Sequence, residues 1–193
     1  MRRYTLTPGA PEPFYASYLK EEGYISAPIN IKMPRVEQKK MRVLSPEELN
    51  QILKVCKTPR DKTLILFLVD SGMRRSEARN LNWIDVDIPS GVVNIRRSKS
   101  KKARSSFIGV KTRRSLLRYR RTISHEDNDP VFQTQTATRL TPSGFRQVIR
   151  RISNKSGILF SAHDLRRTFA TLSLKAGMMY FTFRVYWDIR VLR

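Results

Sequence analysis

AHDLRRTFAT, residues 162–171, reads as nearly three turns of helix, and the rest of the chain is placed around it. His163 and Arg166 stand three apart, so on a helix they leave one face side by side. An imidazole that titrates near neutral pH is thereby set against a permanent cation. The helix stops at Gly177. Upstream, Thr141-Pro142 caps another helix, whose Phe145, Val148, Ile149 and Ile152 form one apolar face.

The chain has 193 residues, with 38 Lys+Arg against 16 Asp+Glu and a net charge of +22. Self-repulsion on that scale points to a polyanionic partner, nucleic acid first. A hydrophobic share of 40% in periodic blocks separates it from a disordered basic tail. The opening MRRYTLTPGAP has no apolar segment behind its arginines, and LILFLV at 64–69 is far too short to span a bilayer. A cytoplasmic, nucleoid-associated protein with no membrane partner is expected. One cysteine, Cys56, and two histidines leave neither an internal disulfide nor zinc-site spacing. The expected chemistry needs no metal and no cofactor.

Residues 13–22 read as an amphipathic helix stopped by Gly23, and the proline-bearing, aperiodic stretch 26–43 as a linker. Ser45-Pro46-Glu47-Glu48 is a capping box with proline at the first helical position, opening LNQILKVC. A second helix is expected at 61–71, and SGMRRSEARNL turns at Gly72 into a third. WIDVDI, Pro-Ser-Gly and VVNI read as a hairpin with a cationic tip, RRSKSKKAR, followed by a strand SSFIGV. KTRRSLLRYRRTI reads as helix, and DNDPVF as a loop entering a short strand. The predicted class is mixed α+β, mainly helical, with a small antiparallel sheet. The expected domains are 1–25, 26–43 as linker, and 44–193.

From Arg96 to Arg121 the chain carries twelve Lys or Arg and no Asp or Glu. Coinciding with a global excess of the same sign, the run favours phosphate binding. Tyr119 and Phe107 are too sparse within it for a single-strand stacking platform.

SGMRRSEARNL resembles the T-G-L/M-R-x-S-E-x-x-x-L box of the tyrosine recombinase or phage integrase family. RRSKSKKARSSFIG is similar to that family's G-K-G-x-K-x-R-x-x-P-L hairpin, and HDLRRTFAT to its H-x-L-R-H-T-F-A-T box. The match covers roughly residues 44–177, and the segment before it resembles the remnant of a helical core-binding domain with its linker.

The resemblance implies site-specific DNA recombination or integration, as carried by phages and mobile elements, by transesterification through a 3'-phosphotyrosyl intermediate. Double-stranded DNA is the partner, and protomers assemble on it. Arg74 and Arg166 would hold the two non-bridging oxygens of the scissile phosphate. Lys99 would protonate the departing 5' oxygen, and His163 would exchange the nucleophile's proton near neutral pH. Arg96, Arg97, Lys101, Lys102, Arg104 and Arg167 are the expected DNA-binding cations.

Departures from the pattern are local. Ser98 and Ser100 replace hairpin glycines, Lys101 and Lys102 compete with Lys99 for its role, and Arg167 stands where a histidine is frequent. After Gly177 the family runs on to L-G-H-x(8)-Y, ending in the nucleophile. Here MMYFTFRVYWDIRVLR follows, and DIRVLR aligned to that tail sets the nucleophile at position 195. A truncated or frame-disrupted tail without the nucleophile is expected, with Tyr180 and Tyr186 as the remaining candidates. The alternative is a DNA-binding remnant that occupies or regulates a recombination site without cutting; a basic RNA-binding protein is disfavoured by the two arginine boxes.

Overall fold

The computed structural model describes residues 18, 19, 21–24, 42–96 and 103–177. The chain divides into two units, residues 1–40 and 41–193. In the first, a short helical segment closes as expected: the Glu22 and Tyr24 amides donate to the carbonyls of Tyr18 and Leu19 at 3.0 and 2.9 Å, and Gly23 takes φ +74. The 26–43 linker lies outside the described residues except for its last two.

The second unit begins at the Ser45 capping box. The Ser45 hydroxyl accepts from the Glu48 amide at 3.2 Å while Glu48 Oε2 accepts from the Ser45 amide at 2.9 Å, opening α1 (Pro46–Val55). The next helix, α2 (Pro59–Ser71), starts two residues before the expected 61, because Thr58 caps it through the Asp61 amide at 3.1 Å and Pro59 fits its first turn. This helix is central. Leu64, Ile65, Phe67 and Leu68 are buried on several sides, so α2 packs against neighbours around its circumference rather than along one stripe.

After α3 (Arg75–Asn80), residues Trp83–Asp85 form a 3-10 turn where the first arm of a hairpin was expected. The Asn82 amide donates to Asp85 Oδ2 at 3.0 Å, and the Trp83 and Ile84 amides are taken by the carbonyls of Asp129 and Asp127. With the amides of Trp83, Ile84 and Asp85 all taken this way, WID has no backbone donor left for a ladder. Strand β1 is therefore only Val86–Asp87; it pairs antiparallel with β2 (Val92–Ile95), which pairs with β3 (Arg104–Phe107) in the order β1-β2-β3. The hairpin tip, with Arg97, Lys99, Lys101 and Lys102, lies outside the described residues.

DNDPVF enters no strand among the described residues. Only single bridges form, Asn82 with Pro130 and Gln133 with Arg139, while Val131 and Phe132 sink fully into the core. Phe132 meets Phe67 edge-on at 5.6 Å and stacks with Tyr119 at 6.5 Å. Helices α4 (Val110–Arg120), α5 (Pro142–Ser156) and α6 (Ala162–Lys175) complete the unit. The α5 face of Phe145, Val148, Ile149 and Ile152 is buried as its spacing requires. Each such side chain contributes about 1.5–3 kcal/mol by leaving water. No helix among the described residues is long and apolar enough to cross a membrane.

Candidate functional site

The site grows from the C-terminal end of α2. Gly72 closes that helix at φ +58, and its amide donates back to the Leu68 carbonyl at 3.2 Å. Its own carbonyl accepts from Arg166 Nη1, joining α2 to α6 across 94 residues of sequence. The space at Gly72 is closed as well: a Cβ there would lie 2.1 Å from the Phe169 ring. Gly72→Ala therefore combines a left-handed conformation with overlap against an aromatic ring. The expected loss is about 2–4 kcal/mol, read as a lowered urea midpoint at unchanged m-value.

Arg74 caps the N-terminus of α3, and Glu77 holds it. The Arg74 amide donates to Glu77 Oε2 at 2.8 Å and its Nη1 to Oε1 at 3.1 Å, while Arg104 Nη2 reaches Oε2 at 2.7 Å. Glu77 is 6% exposed, so its charge depends on these two guanidiniums. The carboxylate in turn restricts where the Arg74 fork can point.

On α6 the Ser161 and Asp164 side chains form a reciprocal cap, and Thr168 ties the helix to the start of the unit. The Thr168 hydroxyl accepts from the Leu44 amide at 2.9 Å and donates to the Asp164 carbonyl at 2.8 Å. Leu165 anchors in the core, and Arg166, one residue on, is 7% exposed. Its burial is compensated by the carbonyl of Gly72. His163 sits exposed at the edge, on the first turn. Partial desolvation of its ring, then Arg167 and Arg166, lower its pKa below the ordinary 6.5, against an opposing pull from Asp164. The neutral imidazole, able to accept a proton, is thereby favoured at pH 7.

These elements meet around a cleft of about 990 Å³. Arg74, His163 and Arg166 all line it, together with Arg42, Arg75, Arg146 and Arg150. Against six arginines the cleft wall carries one acidic residue, Asp164, and among the described residues none of its lining is a tyrosine. Such a surface concentrates positive potential on a concave wall, suited to a polyanion with one phosphate seated at the deepest guanidiniums. Among the described residues no group of three His, Cys, Asp or Glu could hold a metal ion.

Other expected residues are placed differently. Arg104 turns its guanidinium onto buried Glu77 and is only 16% exposed, because the carboxylate would otherwise be left unpaired. Arg96 is 63% exposed, with Nε 2.5 Å from Asp85. Arg167 pairs with Asp164 at 3.2 Å, one turn back on α6. Within the basic run, Arg113 is occupied by the Ile88 and Pro89 carbonyls, and Arg120 by His125 at 2.5 Å and the Trp83 ring. Lys99, Arg97, Lys101, Lys102, Tyr180 and Tyr186 lie outside the described residues.

Sequence reasoning missed Glu77, Arg75, Arg146 and Arg150. Arg146 and Arg150 were accessible to it: they stand four apart beside the apolar face of α5, and so share a helix face of their own. Glu77 stood in the SGMRRSEARNL box three residues after Arg74, but its second partner, Arg104, comes from a strand 27 residues away and had no local signal.

Residues 42–180 match the model of the phage integrase family. Tyrosine recombinase XerA of Saccharolobus solfataricus is 29% identical over 159 residues, covering 82% of this chain and 52% of that protein. The crystal structure of XerA recombinase superposes with a TM-score of 0.69 at 25% identity, over 89% of this chain and 62% of that one. The Tn1549 transposon integrase in complex with a circular intermediate DNA gives 0.73 at 17% identity, over 91% and 67%, a likeness of fold. The chain spans between 52% and 60% of the length of the curated XerA relatives it matches.

Proposed function

Because the chain belongs to the phage integrase family, whose members carry out site-specific recombination through a tyrosine nucleophile, we propose that its arginine cleft seats the scissile phosphate of a DNA duplex. The observation that carries this reading is the meeting of Arg74, Arg166 and His163 on one cleft wall, from two segments about 90 residues apart. Arg74 and Arg166 would take the two non-bridging oxygens as the phosphorus becomes five-coordinate, supplying charge stabilisation that is largest in the transition state. His163, neutral at pH 7, would receive the proton of the attacking tyrosine hydroxyl. The phosphorus–oxygen bond to the 5' side breaks as the 3'-phosphotyrosyl bond forms, and the departing oxygen takes a proton, the part the family resemblance gives to Lys99. The reaction belongs on the nucleoid.

A second reading is duplex binding without cleavage, in which the six cleft arginines would hold the phosphate backbone. One experiment separates the two. Incubated with a suicide duplex carrying its own element's site, the chain alone is expected to bind and give no covalent adduct on a denaturing gel, while a chain with a G-H-x(8)-Y tail appended gives one. An adduct from the chain alone that vanishes in Tyr186→Phe would overturn this expectation and identify the nucleophile. In the adduct-forming chain the rate should fall as pH drops through a value below 6.5, since protonation removes the acceptor form of His163 and its pKa is lowered. His163→Gln is expected to flatten that acid limb.

A further inference from the structure

A second cavity, of about 420 Å³, opens at the N-terminal end of α2. Helix α2 runs 13 residues, so this end lies roughly 20 Å along the helix from Gly72 and the arginine cleft. Its wall is rich in donors: Arg60, Gln133, Tyr119, Thr58, Thr122 and Thr134. No Asp or Glu lines it.

Two features make it more than a helix end. Gln133 is 2% exposed, yet its Nε2 has no hydrogen-bond partner, a costly state for a buried donor. Arg60 is fixed in place: its Nε and Nη2 bond to Asp61 Oδ1 at 3.1 and 3.0 Å, and its Nη1 to the Gln133 carbonyl at 2.9 Å. The Asp61 charge is also met by Arg151 Nη2 at 2.6 Å, so two guanidiniums face one carboxylate and the local balance is positive. Burial raises the Tyr119 pKa above its ordinary value of 10, which keeps the hydroxyl protonated and able to donate. The first amides of α2 add the positive end of its dipole.

We propose that this cavity is a second anion site, which binds the phosphate or carboxylate group of a small molecule between the Gln133 amide, Arg60 and the first turn of α2. The volume suits a ligand of metabolite size rather than a DNA strand. It shares no lining residue with the arginine cleft, so the two sites can be occupied independently.

The test is a titration of the full chain, labelled with nitrogen-15, with inorganic phosphate and separately with acetate, following the side-chain amide of Gln133. The expected result is a saturable shift of that amide with at least one of the two anions. It should persist in Arg74→Ala, where the cleft is weakened. Gln133→Glu, nearly isosteric but repelling an anion, should weaken the binding at least tenfold, measured on the Arg60 Nε resonance. Saturation by phosphate alone assigns a tetrahedral oxyanion, and saturation by both assigns carboxylates as well; either sustains the site. A Gln133 amide that stays still or drifts linearly with both anions, or whose shift disappears in Arg74→Ala, overturns it on the wild-type and Arg74→Ala chains alone, whether or not Gln133→Glu folds.

Discussion

Arg74→Ala lowers the single-turnover rate of DNA cleavage by about 10²–10³-fold in the adduct-forming chain, the cost of one preorganised donor aimed at developing oxyanion charge. Duplex affinity changes only a few-fold, because one phosphate contact is a small part of a large electrostatic footprint. Arg74→Lys fails to restore the rate, since an ammonium cannot reproduce the fork that Glu77 holds through Arg74 Nη1 at 3.1 Å. Arg166→Ala shows a loss of similar size with an additional drop in stability, because Arg166 is buried and bonded to the Gly72 carbonyl. Cleavage rate measured beside the urea midpoint separates the two positions. An Arg74→Ala chain that cleaves at the unmodified rate would remove Arg74 from the phosphate site.

The triple variant Arg75→Ala, Arg146→Ala, Arg150→Ala flattens the salt dependence of duplex binding by about 3 units of log K against log salt, each phosphate contact contributing roughly 0.9. At physiological salt the same slope corresponds to about a hundredfold in affinity. Arg146 and Arg150 are exposed and Arg75 half-buried, all three on the cleft, so the substitutions cost little packing. The contrasting set is Arg104, Arg113 and Arg120, whose guanidiniums already bond to Glu77, to the Ile88 and Pro89 carbonyls and to His125. Removing those lowers stability and leaves the salt slope nearly unchanged. Equal slopes for the cleft variant and the unmodified chain would take DNA off this face.

Local features were legible in the sequence because their causes are local. The Ser45 and Thr141 caps, the apolar face of α5 and the stop at Gly72 each rest on residues within one or two turns, and each appears where its residues set it. The two arginine boxes were equally readable, and residues 42–180 match the family model that they resemble. The run from Arg96 to Arg121 was legible only as charge. Its described arginines divide between solvent and protein acceptors according to which carbonyl or carboxylate the fold leaves nearby, and that partner is 24 to 27 residues away for Arg104 and Arg113.

The same distinction accounts for WID and PVF. Both have strand-like composition, but Trp83 and Ile84 find their hydrogen-bond partners in the loop at 127–129, and Val131 finds its partner at Leu81, so the segments satisfy one another as turn and bridge rather than as a ladder. The sequence alone determined the fold class, the capped helix starts at Pro46 and Pro142 and the family, since periodicity, caps and motifs are written in neighbouring residues. Tertiary structure alone decided that Arg166 lies against Gly72, that Glu77 holds both Arg74 and Arg104, and that six arginines share one cleft. The hydrogen bonds among them join segments up to 94 residues apart, and packing around α2 brings them within reach.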